Sequence, residues 1–162
     1  MTVLSPALDA AFAADRVTMF GALKIELPEQ TICLLDGSAE ITIGSDDYAG
    51  HVEGVGAWAS VEEIEDGFGD EAPGTTVTLL PDSDEAAAML SDPANQASPV
   101  TIMAGARDDE TGLSIGDPYV AIIGLIDVPV HEFGTAECSI DYDVVSEMDY
   151  LMMNDEDRDM AP

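Results

Sequence analysis

The stretch PVTIMAGARDDETGLSIGDPYVAIIGLIDVP, residues 99–129, constrains the fold more than any other part of the chain. Residues 99–106 and 118–128 read as two extended segments, joined across the polar tip RDDETGLSIGD. Two such runs with a Gly- and Asp-containing connection form a β-hairpin. The second run has no polar face. Val120, Ile122, Gly124, Ile126 and Val128 fall on one side, and Tyr119, Ala121, Ile123 and Leu125 on the other. A sandwich strand in a free monomer usually has one wet face, so this one asks to be covered twice. Nothing in the hairpin is suited to chemistry, and the question becomes what covers the second face. A helix of the same chain, residues 82 to 91, would do so by ordinary helix-on-sheet layering. A neighbouring subunit would do so equally, because exposed apolar patches of this kind mark interfaces.

The rest of the chain follows the same period of two. Residues 1–16 form an N-terminal helical arm, with Ser5 as N-cap, Pro6 in the first helical position and an apolar side of Leu8, Ala11 and Phe12. Residues 17–146 form the β domain. In VTMFGALKIEL, Val17, Met19, Leu23, Ile25 and Leu27 point one way while Thr18, Lys24 and Glu26 point the other. PEQ turns the chain and TICLLD returns beside it. AEITIG and the piece around Tyr48 make a tighter hairpin across SDD. VGAWASVEEIED is a strand carrying Trp58, Val61 and Ile64, and TTVTLL is another, with Val77 and Leu79 inward. A second helix starts at Asp82 as cap with Glu85 three residues on, and Pro93 ends it. TAECSIDYDVVS closes the domain with Ala136, Cys138, Ile140, Tyr142 and Val144 toward the core. Residues 147–162 are an acidic segment whose beginning reads as a short helix. Eight or nine strands linked by hairpins and short loops, with two short helices, predict a mainly β fold: an antiparallel β-sandwich or partly closed barrel with a flanking helix, not a βαβ fold.

Charge removes several functions. The 162 residues hold 34 Asp and Glu against four Lys and Arg, a net charge of −30. Such a surface repels nucleic-acid phosphates and anionic membranes, so no specific nucleic-acid binding and no membrane insertion is expected. It also repels its own copies until salt screens it, which suits a salty habitat. No run approaches the ~18 apolar residues of a membrane span. MTVLSPALDAAFAADR lacks the basic start of a signal peptide, so synthesis in the cytoplasm is expected. Cys33 and Cys138 are too few for a disulfide scaffold and read as buried thiols.

The chemical motifs are weak in their contexts. GFGDEA, residues 67–72, has the spacing of a dinucleotide loop but precedes a strand, and Asp70 and Glu71 would repel a pyrophosphate. Asp155, Asp157 and Asp159 are spaced like the first ligands of a calcium loop without its turn glycine or final Glu. Asp108–Glu110 is an acidic hairpin tip. His51 and His131 have no partner at zinc-ligand spacing. No nucleophile elbow is present. No catalytic, cofactor-binding or metal-binding residue is therefore assigned, and the chain does not read as an enzyme.

The order of elements is informative where single motifs are not. The N-terminal helix leads to FGALKIEL and TICLLDG, then to AEITIGSDDYAG and SVEEIEDGFGDEAPGTTVTLLPDSDEAAAML. QASPVTIMAGARDDETGLSIGDP, GLIDVP and IDYDVVSEMDYL follow. This order, over roughly residues 7–151, resembles the first domain of the tail hub, or tail-tip, proteins of long-tailed bacteriophages and gene transfer agents. The resemblance implies a β-sandwich of the phage tail-tube type. It also implies a structural place in the virion tail, as a ring at the tail tip or baseplate that continues the tail tube. The family brings no catalytic residues. Its hub proteins are usually longer and carry a second domain. Two such domains per chain suit a trimer and one suits a hexamer, so the copy number stays open, as does whether the chain is part of a longer hub. Other tail proteins would lie above and below, and an acidic lumen would let DNA slide through. Two other readings remain in view: a monomeric acidic binding module of the calcium-dependent adhesin type, and a small β-sandwich hydrolase.

Overall fold

The computed structural model describes residues 4–61, 74–133 and 138–147, with side chains outside 131–133. Helix α1, Pro6–Phe12, begins as the sequence predicts. The Leu8 amide donates to Ser5 Oγ at 3.3 Å, Pro6 opens the helix, and Leu8 is fully buried. The strands are β1 (Thr18–Glu26), β2 (Thr31–Leu35), β3 (Glu40–Ile43), β4 (Asp46–Ala49), β5 (His51–Val52), β6 (Gly56–Val61) and β7 (Thr75–Leu80). Helix α2, Asp84–Leu90, and a 3₁₀ turn, Pro93–Asn95, precede β8 (Pro99–Arg107), β9 (Tyr119–Phe133) and β10 (Cys138–Val145).

Three local details differ from the sequence reading. The β3–β4 hairpin turns at Gly44 and Ser45, one position earlier than SDD, and Gly44 supplies the positive φ of 64° that a two-residue hairpin turn needs. Helix α2 is capped by Ser83, whose Oγ accepts from the Ala86 amide at 3.1 Å. Asp82 instead accepts from the Gly54 amide at 2.8 Å, tying the β5–β6 turn to the start of α2. The two-residue strand β5 is too short to leave a period in the sequence. Ile64, residues 67–72, Ala136 and the acidic segment after residue 147 lie outside the described residues.

The ten strands form one sheet in the order β3-β4-β2-β1-β8-β9-β10-β7-β6-β5. Its neighbours are antiparallel except β2 and β4, which meet in parallel at Leu34 and Ala49, so the sheet is mixed where the sequence suggested a wholly antiparallel one. The fold is mainly β with two short helices, as predicted. The main core draws Leu23 and Ile25 from β1, Ile32 and Leu34 from β2, Val77 and Leu79 from β7, and Ile140, Tyr142 and Val144 from β10. Strands that far apart in the order share one core only if the sheet curls on itself. Accordingly, the far strand β5 returns to contact β2, giving a partly closed barrel. Each of these aliphatic side chains contributes about 1.5–3 kcal/mol by leaving water.

Helix α2 closes this core rather than covering the second face of β9. Its Leu90 is wholly buried within the main core. Tyr142 Oη donates to the Leu90 carbonyl at 2.5 Å, and Asn95 Nδ2 donates to the carbonyls of Met89 and Leu90 at 2.8 and 3.1 Å. These donors satisfy the carbonyls that a helix end leaves without partners. Burial disfavours the charged form of Tyr142 and raises its pKa above the ordinary tyrosine value. The same-chain explanation through residues 82–91 is thereby overturned.

Candidate interaction surface

Of the acidic and histidine residues singled out in the sequence, Asp70, Glu71, Asp155, Asp157 and Asp159 lie outside the described residues. Among the described residues no three His, Cys, Asp or Glu side chains converge as a metal site. Asp108 is occupied within its own turn: its Oδ1 accepts from the amides of Glu110 at 2.8 Å and Thr111 at 3.0 Å, and these bonds hold its pKa below the ordinary value. Asp109 Oδ1 accepts from the Thr18 hydroxyl at 2.6 Å and lies 3.8 Å from Arg107. His51 is exposed, with Nε2 3.6 Å from Asp82. His131 lies on β9, across the sheet from Ile140. Cys33 and Cys138 are half-buried thiols on β2 and β10. Among the described residues no helix is long and apolar enough to cross a membrane.

What the structure does assemble is a second apolar face. The outer side of β1, β2 and β8 carries Phe20, Ala22, Leu35 and Met103. The β3–β4 hairpin folds over them, burying Ile41 and Tyr48 in the same cluster, with Cys33 and Val120 at its margin. The Lys24 ammonium donates to Asp46 Oδ2 at 2.7 Å beside the hairpin turn, and that bond raises the Lys24 pKa. Burial raises the pKa values of Tyr48 and Cys33 above their ordinary positions. Residues 17–27 therefore do not have one inward face. Phe20 and Ala22 are buried on the side opposite Leu23 and Ile25, and Met19, on the side of Leu23, is exposed.

Two irregularities along β9 then rewrite which residues share a face. The pairing with β8 shifts between Val120 and Ile122, so that Val120 lies opposite Met103, on the outer side with Ile123. The pairing with β10 shifts between Ile126 and Pro129, which stand opposite Val144 and Tyr142 on the inner side. Val128 and Val130 are thereby turned outward, although a strict period of two groups them with Ile126. The outer strip is Ile123, Leu125, Val128 and Val130, with Ile123 70% exposed, Val128 49% and Val130 43%. Beside it runs an acidic row. Asp141 lies across from Val130 and accepts from the Thr78 hydroxyl at 2.6 Å, and Asp143 accepts from the Thr76 hydroxyl at 2.9 Å. The surplus of apolar strand surface was legible in the sequence, but its membership was not.

The sequence matches no protein-family model and no curated protein.

Proposed function

We propose that this chain is a structural virion protein, a ring-forming component of a phage tail tip or baseplate in the hub or distal-tail position. The observation that carries the reading of a subunit built into a larger assembly is the open strip on β9, while the ring of like copies rests on the sheet edge at β3. A chain this acidic has every means to keep its surface wet, yet it leaves four aliphatic residues in a row on the outside of its largest hairpin. Contiguous exposed apolar surface of this kind marks a protein interface. The order of elements, which resembles the first domain of tail hub proteins, supplies the setting. The sheet also ends in β3, which has one strand neighbour among the described residues. An edge of that kind is a liability in a monomer and is paired in a closed ring.

Self-assembly is tested by the native mass of the purified chain over a concentration series, at low and at high salt. A trimer or hexamer that strengthens as salt screens the −30 charge is the expected result. A monomer throughout both series would remove the homo-oligomeric ring from the reading.

A further inference from the structure

We infer that the open strip of β9 seats an apolar, basic segment of a different protein, and not a second copy of this chain. The inference rests on reading the strip as a protein interface, and its argument is one of charge. Whatever covers Val128 and Val130 must also cover Asp141 and Asp143 on the adjoining strand, since neighbouring strands lie only about 4.8 Å apart. Carboxylates taken out of water without a cation or donor are strongly unfavourable. The hydroxyls of Thr76 and Thr78 satisfy one oxygen of each and fix its direction, leaving the remaining lone pairs for the partner. A facing segment that alternates aliphatic residues with Lys or Arg meets both rows at once.

A second copy has few cations to offer. Of the four basic residues, Lys24 is held by Asp46 at 2.7 Å and Arg107 stands beside Asp109. Arg16 and Arg158 are the other two, the latter outside the described residues, and they stand against 34 carboxylates in the same chain. Two copies facing each other here would bring the Asp141 and Asp143 carboxylates of one against those of the other, and like charges juxtaposed across an interface cost several kcal/mol. Copies are better joined through main-chain pairing at a sheet edge, where no side-chain cation is required. The two surfaces thus divide the work: the edge for the same chain, the strip for a basic neighbour.

The test uses the whole chain, isotope-labelled, titrated with a synthetic β-hairpin peptide of alternating valine and lysine. A serine–lysine hairpin of equal charge is the control. The valine–lysine hairpin is expected to bind at least about tenfold more tightly, by the aliphatic area it buries. Its chemical-shift changes should centre on Ile123, Val130 and Asp141 in the unaltered protein. Ile123→Thr combined with Val130→Thr should abolish the preference for valine, and Asp141→Asn with Asp143→Asn should weaken binding and flatten its salt dependence. Equal binding of the two hairpins, no binding of the first, or shifts spread over the whole acidic surface would overturn the inference. So would self-association of the chain that Ile123→Lys abolishes, because the strip would then take a copy. Failure of the mass series alone removes the ring and leaves this titration unaffected.

Discussion

The outer face of the sheet is finished in two ways. Over β1, β2 and β8 the chain covers it with its own β3–β4 hairpin, and Phe20, Ala22, Leu35 and Met103 are buried. Over β9, β10 and β7 the same face stays open, with Ile123 at 70% exposure. A single strand belongs to both halves: Val120 packs at the margin of the covered cluster and Ile123 stands in water three residues later. Hydrophobicity does not separate the two halves, since both are apolar. What separates them is the reach of a hairpin built from two four-residue strands, which covers Met103 and the margin at Val120 but not Ile123. Apolar surface that a longer hairpin would have covered is left exposed among the described residues.

Truncations on the two halves give the largest contrast. Tyr48→Ala opens a hole beneath the hairpin and should cost about 3–5 kcal/mol in denaturant unfolding, the range for removing a buried aromatic ring. Ile123→Ala should change the stability of the dilute monomer by no more than about 0.5 kcal/mol, as expected at an exposed site. A cost near 2 kcal/mol at Ile123 would mean that part of the same chain covers the strip, and the comparison would collapse.

The sequence made this contrast only half legible, for a definite reason. Alternation reports which residues share a face as long as the register holds, and in β7 and β10 it does: Val77, Leu79, Ile140, Tyr142 and Val144 all face the core as expected. On β9 the register slips twice, and each slip moves a residue to the opposite face without changing its type. Val120 and Val128 were misplaced for that reason. Phe20 and Ala22 escaped notice because a strand buried on both sides shows no preferred period, as β1 does beneath the hairpin. The candidate surface was visible as an excess of aliphatic residues. Its acidic border was not, because the carboxylates of Asp141 and Asp143 stand beside Val130 only through the pairing of β9 with β10.

A smaller effect distinguishes a docked hairpin from a detached one. Cys33 lies at the edge of the covered cluster, half-buried, with its pKa raised mainly by burial. The thiolate is the reactive form, so alkylation at neutral pH should be slow. Tyr48→Ala should raise the rate at Cys33 severalfold, read from the peptide containing residue 33 by mass spectrometry. Ile123→Ala should leave it unchanged. Equal acceleration by both variants would show that the two halves of the face open together and form one cooperative unit.

The smallest effect comes from the ion pair that fastens the hairpin turn. Lys24 and Asp46 are about a quarter and a third exposed, so the pair is worth no more than about 1 kcal/mol and less at high salt. Its pH dependence has a definite sign. The hydrogen bond and charge of Asp46 raise the Lys24 pKa in the folded protein, so folding holds the proton more tightly than the unfolded chain does. The contribution is therefore complete below the unfolded lysine value of about 10.4 and is lost as pH rises through the higher folded value. Tyr48 and Cys33, also raised, lose stability over the same alkaline range, so the pair must be isolated by difference. In a Cys33→Ser background, the stability gap between the Lys24 protein and its Lys24→Met variant should be constant from pH 7 to about 10 and shrink above it. A gap that persists undiminished would mean that the lysine stem packing on the sheet, rather than its charge, fastens the hairpin. The boundary between the covered and open halves would then be set by apolar contact alone.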